Sequence, residues 1–161
     1  MSETGIILQA RTDSTRMPEK VILPFFQEKS ILDLLLEKTK KLVAPVVLAT
    51  TLNPSDDRIC RLAEKHEVPV FRGSENDVLD RFIQAARKFG FSKIIRVCAD
   101  NPFLDFTGMQ TLIREFDVPT PTHPSVARFS HRAVLHGAFR FLAHSPGSRI
   151  SFESGKRRPF R

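Results

Sequence analysis

IILQARTDSTRMPEK, residues Ile6 to Lys20, starts as an apolar run and turns polar at Gln9. Ile6, Ile7 and Leu8 are too few for a buried helix and suit a buried strand; the loop after them carries Arg11, Arg16 and Lys20 with Ser14, Thr15 and a proline. Three cations and several backbone amides beside one strand end suit a polyphosphate, because charge-assisted hydrogen bonds to phosphate are among the stronger polar contacts. On spacing alone, a solvated loop with scattered charges is the competing and simpler reading. No GxGxxG and no Walker lysine motif is present, so neither glycine-rich phosphate cradle applies.

The fold class follows from what comes next. Ser30 reads as a helix cap before ILDLLLEKTKKL, whose apolar positions Ile31, Leu34, Leu35 and Leu42 make one stripe, and Pro45 closes the segment. Val46 to Ala49 is a fully apolar second strand, and a helix follows from about Asp56 to His66 with Asp56 and Asp57 in its first turn. Val68 to Phe71 gives a third strand. Ser74 is the expected cap of a helix through Lys88 with the stripe Val78, Leu79, Phe82 and Ala86, and Gly90 stops it. Lys93 to Ala99 is a fourth strand, and a further helix is expected over Gly108 to Phe116. Strands alternating with helices, the strands almost wholly apolar, predict an α/β fold with a mainly parallel sheet covered on both faces.

Ligands of such sheets gather outside the carboxyl ends of the strands. Gln9 to Lys20, Thr50 to Asp57, Arg72 to Asp80 and Asp100 to Asp105 should therefore converge on one crevice. Asp100, facing a basic loop, could hold a magnesium ion together with phosphate oxygens, or could simply form the turn before Asn101 and Pro102. His66 reads as a surface residue at a helix end. Cys60 and Cys98 stand alone in apolar settings and read as buried thiols.

An apolar fraction of 41% with 27% charged residues is ordinary for a single folded domain. The start MSETGIILQA lacks the basic opening and long apolar stretch of a signal peptide, and no run reaches the length of a membrane span, so a cytoplasmic protein with no membrane partner is expected. The net charge of +7 is not spread evenly: of 25 basic and 18 acidic residues, 17 of each lie in 1–118, which leaves 8 basic residues against Glu153 alone in 119–161. The division expected is thus 1–118 as a domain of balanced charge and 119–161 as a basic tail.

With these residues in place the chain resembles the cytidylyltransferases of the CMP-sugar synthetase group, closest to the branch of spore coat polysaccharide biosynthesis. IILQARTDSTRMPEKVILPF, VVLATTLNPSDD, VPVFRGSENDVLDRF and RVCADNPFLD carry the resemblance, in the family's order and spacing, over Gly5 to Val118. It implies a three-layer, Rossmann-like (GT-A-like) nucleotidyltransferase fold and a transfer in which a sugar or sugar phosphate oxygen attacks the α-phosphate of CTP and pyrophosphate leaves. It implies CTP held by Gln9, Ala10, Arg11, Ser14, Arg16 and Lys20, with Arg11 and Lys20 acting on the reacting phosphates. Arg72, Gly73, Ser74 and Asp80 would line the base and ribose, and Asp100 would hold Mg2+. Family members also form dimers.

The chain departs from the family in two ways. Asp13 and Glu19 stand where glycine is frequent, the latter in the family's LPGK segment, and each adds negative charge to the loop. After Val118 the resemblance stops, so the family's C-terminal part is expected to be incomplete; VPTPTHPSVARFSHRAVLHGAFRFLAHSPGSRISFESGKRRPFR reads like a shifted reading frame or a disordered basic end. Lys156, Arg157, Arg158 and Arg161 beside Phe152 and Phe160 offer cations between aromatics, but a solvated end is the reading adopted, without nucleic acid as a partner. A catalytically inactive nucleotide-binding or interaction module is the alternative to an active transferase.

Overall fold

The computed structural model describes residues 4–13, 17–117 and 138–142. Four parallel strands form the centre of the sheet: β1 (Thr4–Gln9), β4 (Val46–Thr51), β5 (Val70–Gly73) and β6 (Lys93–Cys98), with β5 and β6 at the flanks of the β4–β1 pair. A fifth strand, β7 (Ala138–Leu142), lies antiparallel to β6, so the sheet order is β5-β4-β1-β6-β7 and the sheet is mainly parallel. The boundary expected at residue 118 lies at the edge of the described residues, and the expected tail, apart from β7, lies outside them.

Why these segments are strands is clear from their two-sided burial. Ile6 and Leu8 of β1 pack with Leu48, Ile95 and Val97 under α1 (Ile31–Thr39), α2 (Asp57–Lys65) and α4 (Phe106–Asp117). Ile7, one residue out of phase, packs with Val47, Ala49 and Ile94 under α3 (Val78–Phe89), against Phe82, Ala85 and Ala86. Alternate side chains on opposite faces, both apolar, leave no solvated side, which is why the strands read as continuous apolar runs. The result is three layers, helices on both faces of the sheet, as expected from the sequence.

Several boundaries differ from expectation for local reasons. Helix α1 ends at Thr39, well before Pro45, and buries Leu32 and Leu36 beside Ile31 and Leu35, while Leu34 is only half-buried. Its start is as expected: Ser30 Oγ accepts from the Asp33 amide while the Asp33 carboxylate accepts from the Ser30 amide, a complete capping box. Asp33 Oδ1 also pairs with His66 Nε2 at 2.8 Å, so His66 is a half-buried partner of α1 rather than a surface residue. Burial pulls the Asp33 carboxyl upward, but the bonds from His66 and Ser30 outweigh it and hold the group below the usual carboxylate range. The cap of α3 is Asp77, whose side chain accepts from the Asp80 amide; Ser74 Oγ instead accepts from the Asp77 amide one turn earlier. Gly90 ends α3 in the left-handed conformation, as its position suggested. The apolar segment Val21 to Phe26 divides: Val21 is buried, whereas Phe25 and Phe26 are exposed on a small hairpin of β2 (Pro24–Phe26) and β3 (Lys29–Ser30). Helix α4 starts two residues earlier than expected, where Asp105 Oδ1 accepts from the Gly108 amide.

Gly5 in β1 is a packing glycine. A Cβ at this position would fall inside the ring of Phe91, which is buried under β1. Gly5→Ala is expected to lower stability by about 1–3 kcal/mol through overpacking, read as a reduced midpoint in urea; an unchanged midpoint would mean the ring moves aside freely.

Candidate functional site

The register of the sheet brings four strand ends to one edge. Gln9 lies opposite Ala49 on one side and Cys98 on the other, and Thr51 lies opposite Gly73. The segments beginning at Ala10, Leu52, Ser74 and Ala99 therefore leave the sheet side by side, and they hold the polar clusters singled out in the sequence.

One carboxylate organises this edge. Asp56, 1% exposed, accepts through Oδ1 from the Thr12 amide at 2.8 Å and Thr12 Oγ1 at 2.7 Å. Its Oδ2 accepts from Thr50 Oγ1 at 2.8 Å, the Thr51 amide at 3.1 Å and Thr51 Oγ1 at 2.5 Å. The loop after β1 is thereby fastened to the end of β4 through a residue of the short 3-10 turn before α2. Burial pulls Asp56 upward, but the bonds from Thr51, Thr12 and Thr50 prevail and keep its carboxyl below the usual range. The sequence offered Asp56 only as a first-turn acid; the signal that could have found it is the threonines Thr12, Thr50 and Thr51, an unusual set of hydroxyls at two strand ends.

Above this anchor, Arg11 and Lys20 are exposed, with no ion pair to either among the described residues. Ser14 and Arg16 lie outside the described residues. Glu19 has a φ of 58°, a left-handed backbone that suits glycine and costs a residue with a Cβ about 1–2 kcal/mol. This is the position where the family usually has glycine. Its carboxylate is paired with the Arg58 guanidinium of α2, so its charge is turned to the helix and neutralised there. Asp13 is exposed.

The other expected residues fall as follows. Gln9 Oε1 accepts from Arg96 Nε at 3.1 Å, and the Ala10 amide donates to the Ala49 carbonyl. Arg72 directs all three of its donor positions into the protein: Nε to the Thr51 carbonyl at 2.9 Å, Nη2 to the Asn53 carbonyl at 2.8 Å and Nη1 to Asp57 Oδ1 at 2.6 Å. Its role in the structure is to hold the turn after β4. The Asp57 bond raises the already high Arg72 pKa further, so the clamp stays charged. Gly73 and Ser74 sit at the end of β5, and Asp80 on α3 accepts from Gln84 at 3.3 Å. Asp100 is exposed just beyond β6, where the Ala99 amide still donates to the Gln9 carbonyl at 2.9 Å. No group of three or more His, Cys, Asp or Glu residues suited to a metal occurs among the described residues. Cys60 and Cys98 are free, and burial pushes both thiols up.

One residue at this edge had no signal in the sequence reading. Arg81 of α3 is 1% exposed, in the helix face where Leu79 was expected; Leu79 is 41% exposed. An arginine in an apolar stripe reads as its boundary, so the pattern alone pointed to the wrong neighbour.

A family model described as cytidylyltransferase matches residues 5–126. The chain belongs to the cytidylyltransferase family. It is 37% identical over 111 residues to the spore coat polysaccharide biosynthesis protein SpsF of Bacillus subtilis, covering 65% of this chain and 46% of that one. It is 43% identical over 98 residues to an uncharacterized protein of Methanocaldococcus jannaschii, covering 60% of this chain and 40% of the relative. Among solved structures, a cytidylyltransferase from Leptospira borgpetersenii is similar at 36% identity and a TM-score of 0.68, over 72% of this chain and 49% of that one. A CMP:2-keto-3-deoxy-manno-octonic acid synthetase, solved with CTP, shares the fold at 21% identity and a TM-score of 0.61, over 71% of this chain and 47% of that one. The chain thus spans about half the length of these relatives. No described helix is long and apolar enough to cross a membrane.

The lowered Asp56 pKa gives a pH signature. Its stabilising contribution is present above the ordinary carboxylate value of about 3.9 and disappears as pH falls through the lower folded value. Asp56→Asn, which sets amide donors against threonine donors, should cost about 3 kcal/mol at neutral pH, and the gap from the wild type should narrow on acidification below about pH 4. Denaturant titrations across pH check this; a gap that is small at neutral pH, or constant down to acid, contradicts the assignment.

Proposed function

We propose that this family domain binds CTP at the four convergent strand ends and takes part in transfer of its cytidylyl group to a sugar or sugar phosphate of surface polysaccharide synthesis. The observation that carries the reading is the pair of exposed cations, Arg11 and Lys20, on a loop whose backbone is pinned by buried Asp56. Pinning matters because a polyphosphate is held well only by donors that do not have to be ordered on binding. The CTP complex of the CMP:2-keto-3-deoxy-manno-octonic acid synthetase, which shares this fold, supports the choice of nucleotide.

In the reaction proposed, a hydroxyl oxygen of the acceptor forms a bond to the α-phosphorus, the bond from that phosphorus to the β-bridging oxygen breaks, and pyrophosphate leaves with the bonding electrons. The hydroxyl proton passes to solvent. Arg11 and Lys20 would hold the phosphates in line and neutralise charge as it accumulates on the leaving group, so that catalysis comes from position and electrostatics. Gln9, Ala10, Ser14 and Arg16 belong to the same loop and would complete the nucleotide's polar contacts, as would Gly73, Ser74 and Asp80 on the β5 side. Arg72, committed to Thr51, Asn53 and Asp57, would act by keeping the β4 turn in place.

Exposed Asp100, with no cage of protein ligands among the described residues, fits a magnesium ion that arrives with the triphosphate and keeps most of its oxygens from phosphate and water. Such an ion supplies charge neutralisation at the phosphates. A homodimer and a cytoplasmic location complete the reading by analogy with the family.

Thermal unfolding with and without CTP and magnesium tests the proposal. At a hundredfold excess over Kd the midpoint should rise by about 5–10 °C, and Lys20→Ala should weaken CTP binding by about tenfold or more. No shift with CTP or any other triphosphate, and no effect of Lys20→Ala, would sink it. Release of pyrophosphate when sugars or sugar phosphates are added separates a transferring domain from a module that only holds the nucleotide.

A further inference from the structure

Three consecutive residues at the start of α2 each reach a different segment of the strand-end edge. Asp56 holds the Thr12 amide and hydroxyl, Asp57 holds Arg72 of β5, and Arg58 pairs with Glu19. The last contact joins two residues that are each out of place by local rules. Glu19 carries a side chain at a φ of 58°, where glycine is at ease. Arg58 sets a cation in the first turn of a helix, where the macrodipole favours acids. Neither residue type suits its own backbone position, and each answers the charge of the other.

The pair also sits at a defined point of the loop after β1. The Glu19 amide donates to the Thr12 carbonyl at 2.9 Å, so the two ends of the loop meet there. The Glu19 carbonyl accepts from the Ile22 amide at 2.8 Å and the Leu23 amide at 3.2 Å, which makes a turn around Lys20. Asp56 thus fixes one side of this neck through Thr12, and Arg58 draws in the other through Glu19, both from one turn of chain. Exposed Arg11 precedes the first side and exposed Lys20 follows the second, so the two cations flank the neck.

With Arg58 54% and Glu19 41% exposed, their ion pair contributes little to folding stability. Its consequence is local. A carboxylate released at position 19 would stand next to Lys20, compete with phosphate for it and repel the anion, and charges a few ångströms apart near a surface interact strongly enough to change affinity. We propose that Arg58 is a positioning residue of the triphosphate loop: through Glu19 it keeps the neck closed and holds that carboxylate away from Lys20 and the bound phosphates. Arg58 touches no phosphate itself, and the loop depends on it only because position 19 holds an acid. This rests on the nucleotide reading above and adds to it a residue outside the loop.

The test uses the full chain with magnesium and calorimetric binding of tripolyphosphate and CTP to the wild type, Arg58→Ala, Arg58→Lys, Glu19→Gly and the Glu19→Gly, Arg58→Ala double variant. Arg58→Ala should weaken both ligands by about three- to tenfold at low salt, and the loss should shrink at about 1 M salt, where charges are screened within about 3 Å. Arg58→Lys, which keeps the charge, should recover most of the affinity. Glu19→Gly should bind at least as tightly as the wild type, and in that background Arg58→Ala should change nothing. The ligand-free melting temperature of Arg58→Ala should stay within about 4 °C of the wild type. An equal loss with glycine at position 19 overturns the assignment, since Arg58 would then contact the anion directly. No loss in Arg58→Ala, or a loss that Arg58→Lys does not recover, overturns it as well, and so does a larger fall in melting temperature, which would make the pair a fold contact. In each of these cases the wild type still binds; a wild type that binds neither tripolyphosphate nor CTP overturns the nucleotide reading itself.

Discussion

The carboxylate of Asp56, shut away from water and accepting five hydrogen bonds, is the point on which the functional edge depends. A parallel sheet ends in loops that have no partners of their own, and a loop meant to hold a flexible anion must be fixed before the anion arrives. Here the fixing is done by an acid rather than a base. Asp56 takes the Thr12 and Thr51 amides and three threonine hydroxyls, which turns the loop after β1 back over the end of β4 and leaves Arg11 facing solvent. Its negative charge is used up by close donors, and the exposed cations above keep theirs.

Neighbouring polar groups follow the same division of labour. Arg72 holds the β4 turn through Thr51, Asn53 and Asp57, and Arg58 draws Glu19 to α2, so an arginine expected at the ligand is engaged within the protein and an acid that looked harmful to anion binding is compensated. The strain at Glu19 remains, since only glycine adopts φ of 58° without cost. What is left at the strand ends, among the described residues, includes a few groups not committed to the protein: Arg11, Lys20, Asp100 and two donors of Arg81.

The α/β layers were legible in the sequence because each central strand is buried on both faces and so reads as an unbroken apolar run, while Ser30 and Gly90 marked helix limits by their own backbone chemistry. Convergence of the four polar clusters followed from parallel topology alone. The inner network was not legible, because a buried acid and a solvated acid have the same letter, and only the third dimension brings Thr12 to Asp56 across 44 positions. Arg81 was missed for a related reason: period 3.6 counts apolar residues, and a buried arginine breaks the count at the place where it matters. The same rule set Leu79 on the inner face, which Arg81 occupies.

Amide chemical shifts of the isotopically labelled chain, followed as CTP and magnesium are added, bear most directly on the claim that the strand ends form one preorganised nucleotide site. Shifts should concentrate at Arg11, Thr12, Gly73, Ser74 and Asp100, on strands that are neighbours only in the fold, and leave Ala63 and Ala86 on the outer layers unmoved. Absence of any shift at saturating CTP, or shifts confined to segments away from these strand ends, would contradict the account.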